Sequence, residues 1–222
     1  MLIPKSSGGG QKEIPEEGMH KAVLVKVVDF GTQPSFNAEY KPSRKLMLTF
    51  ELIETSHVFN EENGPQPFIV SAEYTMSLNE KSNLFKALKT WNKAAVEKMI
   101  SSDAAGLDIE AFLGRPAIVN IEHTTGKSNG INYANIGQKG AMIMPRAKND
   151  KDNPIWKKPT SNPVTLFSLE PFVEDKFNAL HQWEQDKIKK SLEWTDINAE
   201  LNGSPRAAVG QDLSEEDIEI EF

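Results

Sequence analysis

The stretch "FIVSAEYTMSLNEKSNLFKALKTW", residues 68–91, changes its hydrophobic period half-way along. Phe68, Val70, Ala72, Tyr74 and Met76 recur at every second position, which is the spacing of one face of a β-strand. Leu84, Leu88 and Trp91 then recur at the spacing of one helix face. Between them, Ser77-x-x-Glu80 matches a capping box, in which each side chain satisfies a backbone N–H of the first turn, and so predicts a helix start at that point. A strand therefore runs directly into a helix.

Two strands precede this junction. "MHKAVLVKVVDFGTQ" (19–33) carries a β-branched run from Ala22 to Phe30. "PSFNAEYKPS" (34–43) reads as a loop punctuated by Pro34 and Pro42. "RKLMLTFELIE" (44–54) puts Leu46, Leu48, Phe50 and Leu52 on one face and Lys45, Met47, Thr49 and Glu51 on the other. "NEENGPQP" (60–67) is a turn-rich break before Phe68. After the helix, "LDIEAFL" (107–113) predicts a second short helix stopped by Gly114 and Pro116. "PAIVNIEHT" (116–124) is a fourth strand with Ala117, Val119 and Ile121 on one side. "TGKSNG" (125–130) is a hairpin loop with an Asn129-Gly130 turn signal, and "INYANIG" (131–137) is a fifth strand.

Three strands, a helix and two strands is the order of the OB-fold, a partly open five-stranded barrel that binds oligonucleotides across strands 2–3 and the loops beside them. A different β+α arrangement can be written from the same elements. The expected class is mostly β with helices: a five-stranded OB barrel over 19–145, a C-terminal helical extension, and a disordered acidic tail.

Residues 1–18 read as a flexible arm, with Gly8-Gly9-Gly10 free in backbone and Pro4 and Pro15 obstructing regular structure. They lack the apolar core of a signal peptide. Residues 146–195 read as a proline-rich basic segment followed by an amphipathic helix. Over residues 139–160, Lys139, Arg146, Lys148, Lys151, Lys157 and Lys158 oppose only Asp150 and Asp152. The helix is expected over 173–192, with Val173, Phe177, Leu180, Ile188 and Leu192 as its stripe and Glu184 interrupting it. Residues 196–222 read as a polar linker and tail. No apolar run reaches the roughly 18 residues of a membrane span. The chain has no cysteine, which excludes disulfides and thiolate chemistry and fits a reducing compartment.

Catalytic chemistry finds no signature. "TTGKS" (124–128) lacks the first glycine of a phosphate loop, since Ile121 stands there, and it joins two strands. His20, His57, His123 and His181 have no metal-ligand spacing, and His123 falls on the inward face of strand 4 as a core histidine. No cofactor is implied. Binding chemistry is better represented. The first loop sets Phe36 and Tyr40 beside Lys41, Arg44 and Lys45, the pairing of stacking faces and phosphate-tracking cations that holds single-stranded nucleic acid. The alternative is that the two rings anchor the loop. Lys127 and Tyr133 offer the same pairing at the second loop. Trp156, between Pro154 and Lys157, either stacks a base or pins the basic segment. Tyr74 and Trp91 read as core.

The formal charge is −7 over 222 residues, and six acids lie in the last eleven: Asp212, Glu215, Glu216, Asp217, Glu219 and Glu221. The body is thus close to neutral. The sequence closes on Phe222, an aromatic that solubility does not require. A solubilising appendage, or a strand formed by the alternating "IEIEF", are the plainer accounts.

Strand order, aromatic-basic loops and this tail together resemble the bacteriophage single-stranded DNA-binding proteins. "DFGTQ" (29–33), "EYTMSLNEKSNL" (73–84) and "WEQDKIKKSLEW" (183–194) are also similar to stretches of phage proteins of this size. The resemblance implies a non-enzymatic protein that coats single-stranded DNA during phage replication, recombination and repair, in the cytoplasm of the infected bacterial host. It implies a tail that competes with DNA for the groove and recruits replication proteins such as polymerase or helicase-primase, and it allows a homo-oligomer. The rival expectation is a phage structural or protein–protein interaction module whose barrel binds no DNA.

Overall fold

The computed structural model describes residues 13–202, apart from 36, 38, 102–105 and 138–142. The early strands form where the alternation lies: β1 is Gly18–Gln33, β2 is Ser43–His57 and β3 is Gln66–Thr75. Helix α1 (Asn83–Trp91) begins later than the Ser77–Glu80 pattern predicts. Its N-cap is Ser82, whose Oγ accepts the Phe85 N–H at 3.1 Å. Ser77 and Asn79 instead cap local turns by accepting the N–H groups of Asn79 and Lys81. A second helix, α2 (Lys93–Ser101), follows, and "LDIEAFL" supplies only a 3₁₀ turn at Glu110–Phe112. Strands β4 (Pro116–Thr125) and β5 (Asn132–Ile136) match the expected hairpin. Two short strands were not legible: β6 (Ile143–Met144) and β7 (Thr165–Phe167).

The strands form one seven-stranded sheet in the order β3-β2-β1-β4-β5, antiparallel throughout, with β6 paired to β4 and β7 parallel to β1. No ladder among the described residues joins β3 to β5. The result is an open seven-stranded sheet where the sequence predicts a partly open five-stranded barrel. The length of β1 explains the pairing with β7. Its first half, Gly18–Val23, pairs with β4, and register shifts at Leu24/Lys26 and Asp29/Gly31 carry it beyond that partner. The exposed edge of Lys26–Val28 is then taken by β7.

One sheet face packs on α1 and α2 through Leu24, Leu48, Phe50, Tyr74, Leu88 and Trp91. Trp91 and Tyr74 are core, as expected, and the Trp91 Nε1–H donates to the Pro116 carbonyl at 2.9 Å. Burial pushes the Tyr74 phenol up to about 12. The other face is buried too. Val28, Phe30 and Met47 pack against Phe167, Leu169, Phe177 and Ile188, and Val23, Val25 and Ile53 pack against Ile155 and Trp156. Residues 155–201, apart from β7, are therefore a second layer on the sheet.

This layer explains the interrupted stripe. The single helix expected over 173–192 is two short helices, α3 (Glu174–Asn178) and α4 (Gln182–Ile188), followed by α5 (Trp194–Leu201) where a linker is expected. Glu184 is fully buried, and its carboxylate accepts the His181 N–H at 3.0 Å and the Lys26 ammonium at 2.6 Å. It caps its own helix and ties α4 to β1. Lys26→Met leaves that carboxylate buried without its cation. The variant should lose about 3 kcal/mol in urea unfolding, and adding Glu184→Leu should recover most of the loss, since a well-packed apolar pair replaces an ion pair at little net cost.

Candidate nucleic-acid interface

The residues singled out in the first loop gather at one end of β2. Tyr40 and Lys41 are exposed, with the Tyr40 N–H held by the Asn37 carbonyl at 3.0 Å. Lys45 is half-buried and its Nζ donates to Thr75 Oγ1 at 2.9 Å, so it stands at the far end of β3. Arg44 differs. Its guanidinium grips the buried Asp29 carboxylate, with Nη2 to Oδ2 at 2.6 Å and Nε to both oxygens at 3.2 Å. Hydrogen bonding to Asp29 raises the Arg44 pKa above its ordinary value. That cation is spent on the fold. Phe36, Lys139 and the tail residues Asp212, Glu215, Glu216, Asp217, Glu219, Glu221 and Phe222 lie outside the described residues.

At the second loop, Lys127 is exposed and Tyr133 half-exposed. The Tyr133 hydroxyl accepts from Asn129 Nδ2 at 2.8 Å, which fixes the ring against the turn. A side chain at Gly126 would come within 3.0 Å of that ring, and Lys127 is the next residue along the chain. Trp156 is pinned rather than free. Its Nε1–H donates to Asp150 Oδ2 at 3.0 Å, its ring packs on the Val23–Val25–Ile53 cluster, and Lys21 and Arg146 lie over it at 5.9 and 5.8 Å. His123 is not a core histidine. It lies where β4 has outrun the core, is exposed, and its Nε2 meets the Pro15 carbonyl at 2.7 Å. Its backbone N–H also donates to Glu17 at 2.7 Å, so residues 13–17 lie against β4.

Between β3 and β5 lies a cleft of ≈ 680 Å³. Phe59, Phe68 and Tyr133 supply its aromatic wall, with Gln66, Asn132 and Asn162 as its amides. Phe59 and Phe68 meet edge-to-face at 5.2 Å, and His57 lies 5.0 Å from Phe59. Exposed apolar residues concentrate here: Val58, Phe59, Ile69, Ile131 and Tyr133 are each 42–44% exposed. Sequence reasoning found Tyr133 and missed the others, because the wall is drawn from four separate segments. A basic surface was also missed. Lys81, Lys86, Lys93 and Lys98 are exposed along α1 and α2, with Glu97 pairing Lys93 at 3.7 Å. The density of lysines between residues 81 and 98 was the available signal.

Among the described residues no cluster of three or more histidines or acids is placed to hold a metal ion, and no helix is long and apolar enough to cross a membrane. No protein-family model matches the chain, and no curated protein matches it in sequence.

The Arg44–Asp29 pair makes a prediction that separates fold from binding. Arg44→Ala strands a buried carboxylate whose other partner is the Gly31 N–H at 2.9 Å. It should cost about 2–3 kcal/mol in chemical denaturation. The salt slope of any polyanion binding, measured where the variant is folded, should stay at the parental value.

Proposed function

We propose that this protein binds single-stranded DNA through an OB-like sheet, without catalysis, and serves phage DNA replication and recombination in the infected host's cytoplasm. One observation carries the reading: the sheet order β3-β2-β1-β4-β5, with α1 and α2 inserted between β3 and β4. That is the strand order of an OB sheet, and it sets two loops bearing an exposed aromatic and a lysine at opposite ends of β3. Tyr40 with Lys41 marks one end, and Tyr133 with Lys127 the other. Ten residues of β3 at about 3.3 Å each separate them by roughly 30 Å. A single strand laid along β3 meets an aromatic face and a cation at each end, the combination that holds unpaired bases and their phosphates.

The acidic tail belongs to the same proposal. A tethered run of six carboxylates mimics a polyphosphate, occupies the cationic path when DNA is absent, and is released to replication proteins when DNA arrives. Phe222 is its anchor, a ring of the kind that dominates small interfaces. The rival reading, a protein–protein interaction module, draws on the exposed apolar residues around the β3–β5 cleft.

Titration with a fluorescent oligo-dT at two salt concentrations decides between them. Single strands should bind more tightly than duplex, with affinity falling steeply as salt rises because phosphate contacts release counterions. Lys41→Ala should flatten the slope of log affinity against log salt by about 0.7, the share of one phosphate on a single strand. Tyr40→Ala should cost about 1–3 kcal/mol. Equal affinity for duplex and single strand removes the proposal.

The tail is tested separately. Deleting 212–222 should raise DNA affinity, most at low ionic strength, where the Debye length reaches about 30 Å. Phe222→Ala keeps all six carboxylates, so DNA affinity should hold while binding to a replication partner weakens by about 2 kcal/mol.

A further inference from the structure

The face that an OB-like sheet ordinarily offers to nucleic acid is closed in this molecule. Met47, Thr49 and Glu51, on the second face of β2, are 3–4% exposed. The Glu51 carboxylate is held by the Ser161 N–H, the Asn162 N–H and the Asn162 amide at 2.7–2.8 Å. Phe167, Phe177 and Ile188 seal the rest of that face. A strand of nucleic acid reaching the middle of β2 would have to strip off an apolar layer.

Resting on the reading above, we propose that the cleft between β3 and β5 is the base-binding pocket, and that it takes unstacked bases between Phe59 and Tyr133. Three observations support this occupant. Both rings present about two-fifths of their surface, and Tyr133 is oriented by the Asn129 hydrogen bond. Base edges need donors and acceptors, and the cleft keeps some uncommitted. Asn132 uses Oδ1 to accept from Thr125, Asn162 uses Nδ2 to donate to Glu51, and their other amide atoms, with the Gln66 amide, have no partner among the described residues. Lys127, an exposed cation for the phosphate of an inserted base, directly follows Gly126, where a Cβ would lie 3.0 Å from the Tyr133 ring. Glu13 is the one acid in the lining. A purely apolar peptide anchor would bury those free amide groups unpaired, at a cost that base edges avoid.

The test uses the full chain and a fluorescein-labelled oligo-dT. Phe59→Leu and Tyr133→Leu keep apolar volume and remove the aromatic face, so each should weaken binding about tenfold, within the range of one lost base–aromatic stack. Tyr133→Phe keeps the ring and loses only the hydroxyl that Asn129 orients, so it should lose clearly less affinity than Tyr133→Leu. Photocrosslinking of the parent protein to a 5-iododeoxyuridine oligomer should mark peptides containing Phe59 or Tyr133, which needs no variant to fold. Crosslinks confined to residues 34–42, or folded Leu variants that bind like the parent, overturn the cleft and leave single-strand binding standing. Tyr133→Phe losing as much as Tyr133→Leu also overturns it, because the hydroxyl and not the ring would then carry the contact. A parent chain that binds no oligo-dT at any salt overturns both the pocket and the function on which it rests.

Discussion

Strands β1 and β2 are apolar on both faces, and the rest of the molecule is arranged around that constraint. Val27, Leu48 and Phe50 point one way; Val28, Phe30 and Met47 point the other. A side chain of this size is worth about 1.5–3 kcal/mol when buried, so neither face of the strand pair can be left to water. Helices α1 and α2 cover one side. The other needs a layer that the strand–helix core does not contain, and residues 155–201 provide it. Gly31 marks how closely that layer approaches. Its φ is +70°, and a Cβ there would lie 2.6 Å from Leu169 and 2.7 Å from Ser191. Only glycine meets both the backbone angle and the space.

Apolar contact alone would let such a layer slide, and the buried carboxylates give it a register. Glu51 on β2 receives the backbone of Ser161 and Asn162. Glu184 on α4 receives Lys26 of β1. Glu193 receives the Thr32 N–H at 2.8 Å and its hydroxyl at 2.6 Å. Burial alone would raise the Glu193 pKa, yet the Thr32 hydrogen bonds outweigh it and hold the carboxyl below its ordinary value. Each anion binds donors on the opposite layer, so a shift of one residue leaves several buried charges unsatisfied at once. Side-chain chemistry thus fixes the position that hydrophobic burial only demands.

This division also explains what the sequence could reveal. Period-two alternation and the Asn129-Gly130 turn are local signals, and β1 through β5 and the strand–helix junction follow from them. The second layer is not local. Glu184 looks like a defect in a helix stripe until Lys26, 158 positions away in the chain, is placed beside it. Met47, Thr49 and Glu51 look like the wet side of an alternating strand because nothing within β2 announces a cover. The same limit applied at the candidate site. Tyr133 and Lys127 stand out beside a turn signal, whereas Phe59 and Gln66, close together on the β2–β3 connection, meet Tyr133 and Asn162 only after distant segments come together. Arg44 shows the reverse error. A basic residue in an aromatic loop suggests a phosphate contact, and its true partner is a buried aspartate fifteen positions earlier.

Closing one face of a sheet while leaving its edges apart has a functional consequence. A closed barrel has no free strand edges, so its ligands must lie on a face or in the loops. Here the path runs from β3 to β5 with no ladder between its ends among the described residues, and both ends border the aromatic cleft. Unpaired edges are a hazard in an isolated sheet, because any exposed strand can add to them. In this chain the start of each edge strand is flanked by a different deterrent. Pro67 removes a donor at the start of β3, and the tight Gly126–Ile131 turn, closed by the Gly126 N–H on the Ile131 carbonyl at 2.8 Å, crowds the start of β5. What remains between them is a gap lined by ring faces and amides. Since the C-terminal layer covers the second face of β2, the proposed binding of bases falls to this gap, where planar rings with hydrogen-bonding edges find both stacking faces and polar partners.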